Sequence, residues 1–440
     1  MHKRIINIFI LFSISIFLLY SQQDNPETDF NVRVIDNGRA VEIIKYVGTS
    51  RDVVIPSRIQ NLPVTAIGES AFSEDEVSNP ITSVIIPNTV TKIGDFAFYD
   101  NQLTSITFPN SVTHIGFAAF FKNLLTSITI PNSVTHIDVA AFRYNQLVTI
   151  TLPSNLTRIE GVVFADNKLT GITIPNGVTH IGDYAFFGNQ LTSITIPNSV
   201  TYLDEYAFSN NQLNTVTMSN SITRLEEGVF ADNKLTRIVI PSSVTYIGER
   251  AFQKNRLTQI NIPSTVTHIG NWAFTENLLT NVVLSDNIAY VGGAVFEKNR
   301  ITSVTIGKNI GFDERYIIFD TQLNTFFRNE RNRGRTGTFE YRNNRWMFLF
   351  PETNLPATPE RLANTIWEDL TGRVRLEFGQ NSVRLRNLSG RDNPVDARYR
   401  VDGDSIVFIN RLPGGRDSEE FGSLIRGILT FAGAEFIRVE

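Results

Sequence analysis

The sequence predicts a β-rich solenoid of 22-residue coils, followed by a small antiparallel β meander or barrel. Three observations predict it. A segment such as Leu103-Thr-Ser-Ile-Thr-Phe-Pro109 recurs as Leu125-Thr-Ser-Ile-Thr-Ile-Pro131, an offset of 22 residues that holds from Ile81 to Gly307. A Phe column is unbroken through Phe98, Phe120, Phe142, Phe164, Phe186, Phe208, Phe230, Phe252, Phe274 and Phe296. Beyond Pro359, runs such as Arg373-Val-Arg-Leu-Glu-Phe378 and Ser405-Ile-Val-Phe-Ile409 alternate with a period of two, the pattern of half-buried strands.

The N-terminus reads as an export address. His2, Lys3 and Arg4 precede an apolar run from Ile5 to Tyr20, and Ser21 offers a small residue before polar Gln22-Gln23-Asp24. This is the layout of a secretory signal peptide, assigned to residues 1–21. The run falls short of the roughly 20 apolar residues of a spanning helix, so an uncleaved anchor is the weaker reading and no stable membrane span is expected after cleavage.

Residues 28–80 read as an N-terminal cap with a degenerate first repeat. Phe30 to Ile35 and Val41 to Tyr46 flank Asp36-Asn-Gly38, a hairpin turn signal. Val54-Ile-Pro56 and Ala71-Phe72 repeat the later units with insertions.

Residues 81–307 form the solenoid proper. No 22-residue unit buries its apolar positions alone, whereas stacked units make a continuous core. Ile106-Thr-Phe108 alternates and ends at a Pro, so it reads as a first short strand. Val112 to Ile115 reads as a second, and the Gly116-x-x-Ala-Phe stretch as either a tight helical turn or a third strand. Three residues after each Phe stands an Asn: Asn101, Asn123, Asn145, Asn167, Asn189, Asn211, Asn233, Asn255, Asn277 and Asn299. A side-chain amide in a bend pairs with backbone groups, so this column reads as a structural ladder rather than a ligand site.

Ile115-x-x-Ala118-x-Phe120-x-x-Asn123-x-Leu125 follows the leucine-rich-repeat pattern, and the I-P-x-x-V-x-x-I-G-x-x-A-F element resembles the BspA-type (Treponema-type) repeat. The resemblance covers about residues 30 to 307, and the lead-in from Val53 to Gly68 is similar to the family's N-terminal capping segment. Asn here fills a column in which the family often has Cys. The resemblance implies an exported protein of the bacterial cell surface, with adhesion to host proteins or to other bacteria.

After Gly307 the period decays. Residues 308–348 read as a C-terminal cap built on Thr325-Phe-Phe327, Gly337-Thr-Phe-Glu-Tyr341 and Trp346-Met-Phe348. The basic loop holding Arg328, Arg331, Arg333 and Arg335 is compensated locally, since 20 Lys+Arg face 19 Asp+Glu from Lys308 onward. Residues 349–361 read as a Pro-rich linker and 362–440 as the small β domain, which is weakly similar to lipocalin-like modules.

Composition excludes several chemistries. The chain of 440 residues has no Cys, so disulfides, thiolate metal sites and a Cys nucleophile are absent. Its formal charge of −4 gives no drive toward nucleic acid. Four interior His (His114, His136, His180, His268) share one column with Lys92, Arg158, Tyr202, Arg224, Tyr246 and Tyr290. A column tolerating Lys, Arg and Tyr reads as an exposed face, and only His114 and His136 lie on adjacent coils, short of a full ligand set. No metal, cofactor or catalytic residue is therefore expected.

Two surface features remain. Thr107, Thr129, Thr151, Thr173, Thr195 and Thr217 recur in one column. Flat Thr arrays order water in ice-binding solenoids, but Thr is also the favoured exposed strand residue, and the second reading is preferred. Aromatics in columns the repeat leaves variable, namely Tyr184, Phe187, Tyr202, Tyr206, Tyr246, Trp272 and Tyr290, are the candidate partner-binding residues. The expected function is that of an exported, non-enzymatic protein-binding or adhesion protein, secreted or held at the cell surface, whose partner is a host extracellular or bacterial surface protein. The alternative is a structural or scaffolding component of the envelope, docked through the C-terminal β domain.

Overall fold

The structure, a computed structural model, describes residues 23–73, 80–308 and 310–312, and the strands between 337 and 438. The expected signal peptide, the segment Thr325-Phe-Phe327, the Arg328–Arg335 loop and residues 350–361 of the expected linker lie outside the described residues.

Residues 81–307 wind as a solenoid of 22-residue coils. Each coil carries a two-residue strand at the H-I positions, from Lys92–Ile93 through His114–Ile115 to Tyr290–Val291. Its partner is the same pair one coil on, parallel and in register, as in His114↔His136 and Ile115↔Ile137. The apolar member points inward, so this strand contributes one column of the core.

The second-strand sheet is interrupted twice. Its ladder runs from the N-terminal hairpin to His136–Ile137, again from Arg158–Ile159 to Tyr202–Leu203, and again from Arg224–Leu225 to Gly311–Phe312. Both interruptions fall where two consecutive coils carry acids in the column usually held by Gly: Asp138 then Glu160, and Asp204 then Glu226. Coils approach closely there, and a Cβ on Gly182 would lie 2.7 Å from the Gly161 nitrogen. Two successive acidic side chains add bulk and like charge at that contact. The coils that open the second and third segments balance the acid internally, through Arg158–Glu160 at 3.1 Å and Arg224–Glu226 at 2.7 Å.

The first strand is less regular than its sequence implies. Ser127–Thr129 pairs with Thr149–Thr151, and Ser193–Thr195 with Thr215–Thr217. Residues 106–108, expected as a strand, have no assigned ladder. Their alternation survives, with Ile106 and Phe108 buried and Thr107 exposed. Phe108 turns inward and meets Phe120 edge-on, at 5.5 Å and 88°. Inward placement of the apolar columns, rather than a continuous ladder, is what the core requires.

The Gly-x-x-Ala-Phe stretch is neither helix nor strand but a bend. Alternate amides donate to the next coil: Phe96 N–H to Phe117 O at 2.7 Å, Phe98 to Ala119 at 2.8 Å, and Asp100 to Phe121 at 2.9 Å. The intervening turns place two residues per coil at positive φ, for example Tyr184 at 53° and Gly188 at 67°, or Trp272 at 55° and Glu276 at 58°. Most are not Gly, and each costs on the order of 1 kcal/mol. The inter-coil hydrogen bonds and the buried Phe offset that cost.

The core is a continuous aromatic stack. From Phe72 to Phe296, successive Phe rings lie 5.0 to 5.9 Å apart and nearly parallel. Tyr46 extends it at 5.4 Å from Phe72, and Phe30 packs on Tyr46 at 5.5 Å. The hairpin of Phe30–Ile35 and Ala40–Tyr46 thus covers the first coil, and Ala40–Tyr46 pairs with Leu62–Ile67. At the other end Gly337–Arg342 pairs antiparallel with Ser303–Ile306, Arg345–Leu349 pairs antiparallel with Gly337–Arg342, and Phe339 is buried.

The Asn column binds each coil to the one before. Asn211 Oδ1 accepts from the Leu191 N–H at 3.0 Å, while Nδ2 donates to the carbonyls of Phe186, Phe208 and Ser209 at 2.8, 3.2 and 3.2 Å. Asn123 to Asn299 make the same contact to the Leu twenty residues earlier, and Asn101 makes it to the Ile81 N–H. These amides satisfy backbone groups that would otherwise be buried without partners.

Eight further strands, from Thr365–Asp369 to Ala434–Arg438, pair antiparallel in sequence order, and the first also pairs with the last. Among the described residues no helix is long and apolar enough to cross a membrane.

Candidate partner-binding face

The seven aromatics singled out from the sequence fall into three columns. Tyr184, Tyr206 and Trp272 occupy the first positive-φ position of the bend. Tyr202, Tyr246 and Tyr290 stand on the second strand. Phe187 belongs to a third column and packs edge-on against Tyr184 at 5.5 Å.

The bend column is the richest. Tyr184 and Tyr206 stack at 4.9 Å and 14°. The Tyr206 hydroxyl donates to Glu227 Oε1, and Arg250 Nη1 donates to the same oxygen at 2.9 Å and also to Glu249. Arg250 in turn lies over the Trp272 ring, 4.7 Å from its centroid. A chain of contacts therefore runs Tyr184–Tyr206–Glu227–Arg250–Trp272 along the bends. Burial, with Glu227 beside it, pushes the Tyr206 phenol far above its ordinary range, so it stays a donor at any physiological pH. Glu205 is held above the ordinary carboxyl value by burial, reinforced by Glu227, Asp204, Glu226 and Asp183. The aromatic chain thus sits in an acidic field.

On the second strand, neighbouring side chains of the column also pack against one another. His114 stacks on His136 at 4.8 Å and His180 on Tyr202 at 4.9 Å. Arg224 lies over Tyr246 at 3.8 Å. Every position of the column is exposed or half-buried, and the His180 side chain is 18% exposed. Rungs about 4.8 Å apart bring side chains on paired strands against their neighbours.

Three features escaped the sequence reading. Glu227 and Arg250, which tie the bend column together, sit in columns whose identity varies and carry no motif. Asp138 joins His114 and His136 in a cluster whose ligand atoms lie within 4.8 Å of one another; it stands in the Gly column rather than the His column, so a search for His ligands along one column passes over it. An open groove of about 830 Å³ runs along the first strands, lined by residues including Thr107, Phe108, Thr129 and Thr151. The Thr column is exposed at all six positions, but its in-register ladder is only pairwise, Thr129 with Thr151 and Thr195 with Thr217.

The short parallel strand, the bend and the Asn bonded to the preceding coil define a leucine-rich-repeat solenoid. The chain belongs to the BspA type leucine rich repeat family, whose model matches in six copies across residues 65–189, 157–278 and 233–325. No curated protein matches the chain. Among solved structures it is similar to a leucine rich cell surface protein of Faecalibacterium prausnitzii A2-165, at 25% identity over 66% of this chain and 89% of that one, TM-score 0.48. It is also similar to the pneumococcal vaccine antigen PcpA, at 21% identity over 64% and 80%, TM-score 0.45. A third is a leucine-rich repeat protein of Bacteroides ovatus, at 20% identity over 64% and 88%, TM-score 0.37.

Proposed function

We propose that this chain is an exported, non-enzymatic adhesion protein that holds a protein partner, from a host matrix or another bacterial surface, against the bends of its solenoid. The observation carrying this reading is the Tyr184–Tyr206–Glu227–Arg250–Trp272 chain, a row of aromatic and charged groups on a rigid, repeated backbone. Tyr, Trp and Arg are the types that dominate binding hot spots, and solenoids present long surfaces at little entropic cost. The acidic residues around the row favour a partner with a basic segment. Export rests on the basic and apolar layout of residues 1–21, and surface residence on the family.

A second reading is a scaffolding role in the envelope, with the strands between Thr365 and Arg438 folding as a separate small barrel that docks the chain. A binding screen against extracellular-matrix proteins and envelope extracts separates the two. Binding lost in the Tyr184→Ser/Tyr206→Ser/Trp272→Ser variant supports adhesion through the bends. Binding kept in that variant but lost on deleting residues 362–440 moves the function to the C-terminal strands.

A further inference from the structure

Two neighbouring members of the His column and an acidic replacement of the Gly column come together at His114, His136 and Asp138. His114 and His136 stand in register on adjacent strands, with ring planes 11° apart. Asp138 follows His136 by two residues, and its Oδ2 lies 3.8 Å from His136 Nε2. We infer that His114, His136 and Asp138 form a binding site for a divalent transition-metal ion of the zinc type.

The donor set is two imidazole nitrogens and one carboxylate oxygen, which zinc accepts with a water in the fourth position. All three ligand atoms lie within 4.8 Å of one another. Bonds of about 2.1 Å in a tetrahedron put ligand atoms about 3.4 Å apart, so modest side-chain rotations close the set. The carboxylate is already oriented. The Val139 N–H donates to Asp138 Oδ1 at 2.8 Å, which leaves Oδ2 on the His136 side. The backbone beneath is fixed, with the Asp138 N–H donating to Ile115 O at 2.9 Å. His136 and Asp138 are 47% and 34% exposed, and an ion reaches them from solvent. Lys92, in register with His114 one coil earlier, opposes a cation and limits the affinity.

The same column supplies an internal control. His180 lies 3.5 Å from Asp204, but its neighbour on the next coil is Tyr202, so one nitrogen donor is missing.

The test is calorimetric titration of the untagged full chain with Zn²⁺ alone in a non-coordinating buffer. The expected result is one saturable ion per chain, weakened at least tenfold by His136→Gln and by Asp138→Asn, unchanged by His180→Gln, and tightened by Lys92→Gln. Unfolding midpoints recorded without metal confirm that the variants fold, and the rise in midpoint with Zn²⁺ is lost in His136→Gln. Absence of saturable binding, or equal affinity in wild type, His136→Gln and Asp138→Asn, overturns the proposal.

Discussion

The Tyr206 ring lies over the Cα of Gly228, filling the space that a side chain at 228 would need. A Cβ built there collides with Cδ1 and Cε1 of the ring, and Gly228 itself has φ +57°. In the same bend position the other coils carry Phe, Ala, Val, Tyr, Arg or Trp. Gly at 228 is thus a local adaptation to the tyrosine one coil earlier, and it seats Tyr206 against Glu227.

Gly228→Ala should therefore destabilise the chain by about 1–3 kcal/mol, combining positive-φ strain with the ring collision. In a Tyr206→Ala background the collision disappears and the cost should fall to about 1 kcal/mol. Denaturant midpoints for the double-mutant cycle measure this. Equal costs in both backgrounds would show that the ring does not press on residue 228.

Asn211→Ala removes the acceptor of the Leu191 N–H and the donor to the Phe186 carbonyl, both within the buried bend. The expected cost is about 2–4 kcal/mol, since each buried unpaired group costs about 1–3 kcal/mol. Asn299 makes the equivalent bonds to Leu279 and Phe274 but is only half-buried. Asn299→Ala should cost less, because water can reach the released groups. Urea unfolding of the two variants checks the order.

The interruptions of the second-strand sheet should be visible in amide hydrogen exchange. Thr179 and Gly182 donate to the preceding coil at 2.9 and 2.8 Å. Their counterparts Thr157 and Glu160, and Thr223 and Glu226, lie at the opened junctions. Peptides covering 157–160 and 223–226 should exchange faster than the peptide covering 179–182. Uniform protection along all three would contradict the interruption.

Burial, with Arg158 beside it, lowers the His180 pKa below its ordinary 6.5, against the pull of Asp204. The folded state then binds fewer protons than the unfolded chain at pH values around and below 6.5. Stability from this group is present above that pH and is lost as the pH falls toward the lowered value. His180→Gln should flatten the stability profile between about pH 7 and pH 5; a profile as steep as wild type would assign the loss to other groups.

Much of the solenoid was legible because a repeat encodes itself. The inward columns Val112, Ile115 and Phe120 recur in every coil, and only stacking buries them together. The bend was less legible. Its conformation at Tyr184, Trp272 or Glu276 contradicts local preference, because such residues rarely adopt positive φ. The candidate face was legible as residue types but not as an arrangement: Tyr184, Tyr206 and Trp272 were visible, whereas Glu227 and Arg250, which join them, were not.

By itself the sequence determined the period, the apolar columns and the family, since each follows from residue types at a fixed spacing. The tertiary structure decided what crosses between coils. It set the left-handed bend through hydrogen bonds from Phe96, Phe98 and Asp100 to the next coil. It opened the sheet where Asp138 meets Glu160 and Asp204 meets Glu226, and it brought Asp138 to His114 across a coil boundary. These relations depend on bulk and charge at a close inter-coil contact, which a repeat pattern averages over and only the packed solenoid resolves.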